Sequence, residues 1–471
     1  MTQNEINIVF PIIGGETRIN NRLVSRKANS KNLYEGISKH TNCFEMPIEK
    51  IIEEKSDEYD YIWVDITDTK ALLFLLREQD VINKPFLIKL PVVFGDLLVI
   101  SQIIPLLKKE DVIFTPSDFA RDSFKKISEH INIQTLTNTI NVTKIRENLI
   151  IKPEESFKRL CFLGRIVPDK GIKFIIESLP SILENAGDVR LDIIGPLNGE
   201  HIGEDTKSVF VKELELLARD LQIEDKITWH GTLMSNAKYE ILSKADLLIN
   251  PSIFMGETFG VVNIEALACG VPVICTKWTG FPEIIQHGSN GFLIDAINIG
   301  HCEYSINTDQ LIEYVSLCLT DQVLMGQLKE GAINKSYEYD EDTVFKKFTT
   351  VLKSNQSLDA PNWDIIKNKT ISDYFELFHD DFVPYLKRYN IDGLKIGSII
   401  NKFEMNDTKN LKEIFLEIVK SWNMPKEYLA SIPGDLINKM IHVYDYLHQD
   451  IHKNVPLNEK QDLFNYLSSI N

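Results

Sequence analysis

From Leu160 to Asp295 the chain alternates between two kinds of segment. Apolar runs of strand length stand at Leu160–Leu163, Val189–Gly195, Lys226–Trp229, Asp246–Asn250 and Gly270–Ile274. Between them, Ile172–Ile182, Ser208–Leu221, Tyr239–Ser243 and Phe259–Cys269 carry helical spacing. Strands separated by helix-length inserts pair in parallel through crossovers rather than as hairpins. The pattern predicts an α/β domain built on a doubly wound parallel sheet. Ile6–Ile13, Tyr59–Asp65, Phe86–Leu90 and Asp111–Thr115 read as strands of a second Rossmann-like domain.

A chain of 471 residues, 44% of them hydrophobic, has room for several domains with sizeable cores. The sequence predicts a first domain over 1–152. A second, over 153–340, opens with the polar linker Pro153-Glu154-Glu155-Ser156. After a further linker at Asn355–Pro361, residues 356–471 read as a helical extension. Ile371–Lys387, Asn410–Trp422, Asp435–Asp450 and Asn458–Ser469 each space their apolar residues helically. Such an extension could seat an acceptor, a partner or a second copy, and its residues do not specify which.

The net charge of −17 argues against nonspecific nucleic-acid binding, which needs a basic footprint. Residues 1–150 hold 19 Lys/Arg against 21 Asp/Glu, so −15 of the total falls on the rest. Cys43, Cys161, Cys269, Cys275, Cys302 and Cys318 are scattered without a C-x2-C pair, which suggests neither zinc nor a disulfide framework and fits a reducing, cytoplasmic setting. The opening MTQNEINIVFPII lacks a basic stretch followed by a long apolar core, so no secretion signal is expected. Pro91–Leu107 is the longest apolar region. It is interrupted by Asp96, Gln102 and two prolines and falls short of the roughly 20 residues a span needs. A buried strand and helix is the primary reading, and a seat on the inner face of a membrane the secondary one.

Two segments carry candidate chemistry. In Pro251–Asp295, Glu257 and Glu265 are separated by seven residues, with Thr258 as the expected N-cap of a buried helix that ends at Gly270. Amides around Thr258, Phe259, Gly260 and Val261 would offer a phosphate site at the helix head. Glu265 would lie roughly two turns beyond Glu257, and a carboxylate there suits paired hydroxyls. In Leu160–Ile172, Arg165 and Lys170 sit on the loop at the carboxyl end of a strand, where open α/β sheets bind ligands. Fixed cations there would stabilise charge developing on a departing diphosphate.

With its Gly-Val-Pro-Val-Ile strand and Gly-Phe-Pro-Glu turn, the Glu257/Glu265 block resembles the E-x7-E signature of retaining GT-B glycosyltransferases, specifically glycosyltransferase family 4. The resemblance implies two Rossmann-like lobes around a cleft, with Thr343–Leu352, inside 341–355, crossing back to the first lobe. It implies a nucleoside diphosphate sugar as co-substrate, a hexose-type sugar transferred with retention, and no cofactor. Arg165 and Lys170 would stabilise the diphosphate, Glu257 would position the sugar and Glu265 would bind the ribose. The turn Trp229-His230-Gly231-Thr232 would lie under the base, with Gly195 nearby. Gly14 and Gly15 would close over the donor, and Arg18 would contact donor phosphates or an anionic acceptor. Arg18, Arg22 and Arg26 recur every four residues and so share a helical face with Lys27 and Lys31 close by.

The chain departs from the family in one respect. Many relatives carry a histidine after the strand matching Phe86–Leu90, whereas this chain has none from residue 41 to 129. That role is either missing here or taken by another group, such as Asp96 or a backbone carbonyl. The departure keeps a second reading open: a non-catalytic homologue serving as a partner or substrate-binding subunit. Asp340-Glu341-Asp342 is a D-x-D, a pattern that holds divalent metals in other glycosyltransferases. Its place before a helix suggests charge complementarity with the helix dipole instead, so no metal is expected.

Overall fold

The computed structural model describes residues 6–12, 33–47, 50–51, 58–65, 83–90, 107–125, 132–149, 155–198, 207–234, 236–254, 256–300 and 303–353. Gly14, Gly15, Arg18, Arg22, Arg26, Lys27, Lys31, Asp96, nearly all of Pro91–Leu107, Pro153-Glu154 and the extension 356–471 lie outside these residues.

The first lobe holds β1 (Asn7–Ile12), β2 (Asn42–Pro47), β3 (Tyr61–Asp65), β4 (Phe86–Lys89), β5 (Val112–Thr115) and β6 (Ile133–Thr135). They form one parallel sheet in the order β2-β1-β3-β4-β5-β6. The second lobe holds β7 (Lys158–Leu163), β8 (Val189–Ile194), β9 (Ile227–Gly231), β10 (Leu247–Asn250), β11 (Val273–Thr276) and β12 (Gly291–Ile294). Their order is β12-β11-β10-β7-β8-β9, again parallel throughout. The reversal of strand order falls between β7 and β10.

Helices α1 (Asp118–Lys125), α2 (Val142–Glu147), α3 (Ile172–Ala186), α4 (Val209–Asp220), α5 (Asn236–Leu242), α6 (Val261–Ala268), α7 (Phe281–Ile284), α8 (Thr308–Thr320), α9 (Gln322–Ser336) and α10 (Glu341–Lys353) follow in chain order. Side chains alternate across a strand, so each buried strand must satisfy two layers. Leu160 and Phe162 of β7 and Leu247 and Ile249 of β10 face the core under α3, α4 and α8. Their neighbours Cys161 and Leu248 face the core under α2 and α6. A hairpin, β13 (Ala296–Gly300) with β14 (Glu303–Ile306), follows β12. The sequence pattern missed this hairpin, β2, β6 and β12. β6 has only three residues, β12 and the hairpin strands have four or five, and the six-residue β2 breaks its apolar run with Asn42 and Glu45.

Ile140, Val142 and Ile145 pack in the second lobe's core. The chain therefore passes between lobes near Ile140, ahead of the linker expected at Pro153. It returns beside that point. Ile140 N donates to Tyr339 O at 3.1 Å, and Glu341 N donates to Ile140 O at 3.2 Å. Beyond this, α10 buries Val344, Phe345, Phe348 and Leu352 among Ile8, Leu33, Trp63 and Phe114 of the first lobe. The return helix is thus the far wall of the first lobe's core. Phe345 is fully buried, and a Cβ built on Gly36 would lie 2.0 Å from its ring. The D-x-D triplet is engaged at the same return: Asp340 Oδ1 accepts from Val142 N at 3.0 Å, and Glu341 pairs with Lys39 at 3.3 Å.

A second tie joins the lobes. Glu283, in α7 of the second lobe, accepts from the amides of Asp118 (2.8 Å) and Phe119 (2.7 Å), at the head of α1 in the first. Acidic caps suit helix N-termini because both the free amides and the dipole favour negative charge. Burial raises the Glu283 pKa, and the two amide bonds oppose that rise.

Two predictions follow from these ties. Phe345→Ala removes a buried ring from the shared wall and should cost about 3–5 kcal/mol, seen as a lowered Tm. The raised Glu283 pKa means its contribution to stability is whole below the ordinary carboxylate value and is lost as pH rises through the folded-state value. Wild type should therefore lose ground to Glu283→Gln as pH rises from the ordinary carboxylate value through the raised folded-state one. The Tm difference between the two proteins across that range is the measurement.

Candidate functional site

The site is assembled where β7 and β10 diverge. In an open parallel sheet, loops leaving the carboxyl ends of strands on either side of the order reversal run to opposite faces and leave a crevice. Here the two loops also touch. Gly171 has φ 71°, and a Cβ there would lie 2.3 Å from Pro251 O, so only glycine permits the approach. Ile253 N donates to Asp169 O at 2.9 Å.

This contact brings the cations of the first loop to the acid of the second. Lys170 Nζ lies 2.5 Å from Glu257 Oε2, and both side chains are largely buried. Arg165 is exposed and has no carboxylate partner among the described residues. Between the cations lies Phe254, its ring centroid 5.5 Å from the Arg165 guanidinium carbon and 5.2 Å from Lys170 Nζ. The Phe254 carbonyl accepts from the Trp278 indole at 2.9 Å, and Trp278 packs edge-on against Tyr304 of the hairpin. Sequence reading missed Phe254, because an aromatic ring in an apolar stretch reads as core.

The helix after Glu257 starts later than expected. Thr258 is buried but does not cap it. The N-cap is Gly260 (φ 95°, ψ 62°), with no side-chain cap, and α6 begins at Val261. The amides of Val261 and Val262 thus precede the first intrahelical bond, from Asn263 N to Gly260 O at 2.9 Å, and the N-cap offers them no side chain. Glu265 consequently lies one turn into α6 rather than two turns beyond Glu257. Asn263, fully buried, bonds Asn250 at 2.8 Å through its oxygen, while its Nδ2 has no partner among the described residues.

Glu265 is 7% exposed and is held by two donors that the sequence did not reveal. Lys238 Nζ lies 2.6 Å and Tyr239 OH 3.1 Å from the same oxygen, Oε1. Both come from α5. No spacing rule links them to Glu265, 26 and 27 residues away. Burial, followed by the Glu265 charge, pushes the Tyr239 phenol well above its ordinary range. The same two causes push the neighbouring Cys269 thiol up to about 12.

Gly164, Gly195 and Gly231 line up at the carboxyl ends of β7, β8 and β9. Gly195 N donates to Gly231 O at 2.9 Å, and a Cβ on Gly195 would lie 1.9 Å from Gly164 O. His230 Nε2 lies 2.7 Å from Oδ1 of Asp192, whose Oδ2 takes Arg159 at 2.9 Å. That ties the ring to a buried carboxylate–guanidinium pair. The Gly-Phe-Pro-Glu turn closes against the helix head: a Cβ on Gly280 would lie 2.4 Å from Thr258 O. The preceding Thr279 has φ 42°, an unfavourable conformation for a β-branched residue. Among the described residues no group of three or more His, Cys, Asp or Glu could hold a metal, and no helix is long and apolar enough to cross a membrane.

Comparison with known proteins agrees with this geometry. Residues 144–333, which contain both candidate segments, match the family model Glycosyl transferases group 1. The chain is 28% identical over 211 residues to an uncharacterised glycosyltransferase of Methanocaldococcus jannaschii, covering 45% of this chain and 48% of that protein. It is 28% identical over 253 residues to the N-acetyl-alpha-D-glucosaminyl L-malate synthase of Bacillus anthracis, covering 52% and 60%. The chain spans about half the length of the curated relatives it matches. Among solved structures, Anabaena HepE in complex with UDP and glucose superposes with a TM-score of 0.51 at 19% identity, over 74% of this chain and 100% of that one. The architecture is GT-B: two Rossmann-like domains facing each other across a cleft.

Gly260→Ala tests the helix head directly. A Cβ there would lie 2.5 Å from the Phe281 ring and 2.8 Å from Asn263 Nδ2, at a backbone angle that alanine disfavours. The strain should lower stability by about 1–3 kcal/mol, measured as a Tm decrease with the circular dichroism of the folded protein otherwise retained.

Proposed function

We propose that the protein is a retaining glycosyltransferase. It moves a hexose-type sugar from a nucleoside diphosphate sugar to an acceptor. The observation that carries this reading is the meeting of Arg165, Lys170, Glu257 and the uncapped head of α6 at the strand-order reversal, one helical turn from Glu265. The family match over the same segment supports it, as does the fold shared with HepE bound to UDP and glucose.

Each group has a role the chemistry requires. As the bond between the anomeric carbon and the β-phosphate oxygen breaks, the electron pair leaves with the diphosphate. Arg165, the Lys170 ammonium and the α6 amides meet that charge, and a guanidinium can hold two phosphate oxygens at once. Because these groups are fixed before the reaction, they act most strongly where the charge is greatest, in the transition state. Glu257, oriented by Lys170, accepts from sugar hydroxyls, and Glu265 accepts from the ribose. The acceptor oxygen attacks the face that the diphosphate leaves, and its proton passes to a departing phosphate oxygen, so the configuration is retained. Protein cations carry the counter-charge, and the D-x-D carboxylates serve the return between lobes, so the reaction proceeds without a metal. Gly14, Gly15 and Arg18 complete the donor site from the first lobe, and closure of the lobes limits hydrolysis.

Saturation-transfer NMR with UDP-, GDP-, ADP- and TDP-sugars tests the reading. One donor should bind wild type, and its signal should be lost or much weakened in Glu265→Ala. With the donor known, Arg165→Ala should lower kcat by about 100-fold, and turnover should persist in EDTA. Product carrying the inverted anomer, or loss of turnover on chelation restored by manganese, would count against the mechanism. Binding of no donor would favour a non-catalytic partner.

A further inference from the structure

Lys238 and Tyr239 stand outside the roles assigned above, yet both converge on a single atom of the site. Their donors lie 2.6 and 3.1 Å from Glu265 Oε1. Each carboxylate oxygen offers about two acceptor positions, so Oε1 is filled. Oε2 has no partner among the described residues. The carboxylate is therefore asymmetric, with one oxygen spent on the protein and the other left for a ligand.

The environment makes this asymmetry firm. Glu265 is a buried residue of α6, where a carboxylate needs a counterion, and Lys238 is the cation that reaches it. Lys238 Nζ also lies 5.0 Å over the Tyr239 ring, so the two donors hold one another as well as the acid. Burial and Glu265 raise the Tyr239 pKa above its ordinary value, which keeps its hydroxyl a donor at neutral pH.

We propose that Lys238 and Tyr239 are positioning residues for Glu265: they fill Oε1 and present Oε2 to the ribose hydroxyls, making the site selective for ribonucleotide over 2′-deoxyribonucleotide donors. This rests on the reading of Glu265 as the ribose acceptor. A desolvated acceptor left unmatched is costly, which is how a site rejects a ligand that lacks one hydroxyl. The selectivity disfavours TDP-sugars, whose nucleoside lacks the 2′-hydroxyl.

Calorimetric titration with UDP, GDP and ADP and their 2′-deoxy analogues tests it. The proteins are wild type, Lys238→Met, Lys238→Arg, Tyr239→Phe, Glu265→Ala and the double variant Lys238→Met/Glu265→Ala, with Tm recorded for each. Wild type should prefer the ribonucleotide by about tenfold, the worth of one hydrogen bond to a charged group. Lys238→Met and Tyr239→Phe should each shrink that ratio by weakening the ribonucleotide more than its deoxy analogue. Lys238→Arg should restore it, and the double variant should bind as Glu265→Ala does. If Lys238→Met weakens both nucleotides equally, or weakens binding further in the Glu265→Ala background, Lys238 acts on phosphate or on the fold and the proposal is overturned. If Glu265→Ala binds as wild type does, or no nucleotide binds at all, the ribose reading itself fails and takes the proposal with it.

Discussion

The reversal of strand order between β7 and β10 is the constraint on which the site depends. Every other neighbouring pair in the second sheet is joined to its next strand by a crossover that covers the gap above it. At the reversal the crossovers depart to opposite faces, and the carboxyl ends of two central strands are left open. Both loops that emerge there carry charge, Lys170 from one and Glu257 from the other. The Gly171–Pro251 approach then sets the distance between them. The crevice is a consequence of topology, whereas its chemistry depends on one glycine that lets two backbones meet.

The Lys170–Glu257 pair explains how opposite charges are kept ready in a partly dry crevice. An unpaired ammonium at this depth would be expensive, and pairing it with a carboxylate removes most of that cost. The pair also leaves an imbalance that favours an anion. Arg165 lacks an acidic partner among the described residues, and the head of α6 is uncapped. An anion at this point would meet a guanidinium without an acidic partner, the amides at the head of α6 and an ammonium already oriented by its carboxylate. Phe254 supports both cations on one ring and passes their position through its carbonyl to Trp278 and so to the hairpin.

Much of this was legible in the residues, because the signals were local. Strand starts at Lys158, Val189 and Leu247 fall within two residues of the apolar runs that predict them, and α3 begins at Ile172 as its spacing requires. The E-x7-E pair and the Arg165/Lys170 loop announce themselves by their places after strands. What was misread or missed depends on three dimensions. Thr258 has the chemistry of an N-cap, but Gly260 holds a left-handed turn that delays the helix by two residues, and propensity does not encode that choice. Lys238, Tyr239 and Glu283 act on partners far along the chain, and no periodicity marks such pairs. Gly14, Gly15 and Arg18 fall outside the described residues, so their part rests on resemblance alone.

The relation between the lobes follows from where the chain crosses. Its two passages lie side by side, bonded at Ile140 and Tyr339, so a rotation of one lobe against the other would turn about that narrow pair with little stretching of either strand. Glu283 holds a second point, its carboxylate on the amides of Asp118 and Phe119. The same α7 that carries Glu283 follows the Gly280 turn packed on the Thr258 carbonyl, beside the helix head. The α1 cap is therefore joined through α7 to the head of α6, within a few residues of Glu257. The α7 turn thus belongs to the wall of the crevice and to the tie between the lobes at once.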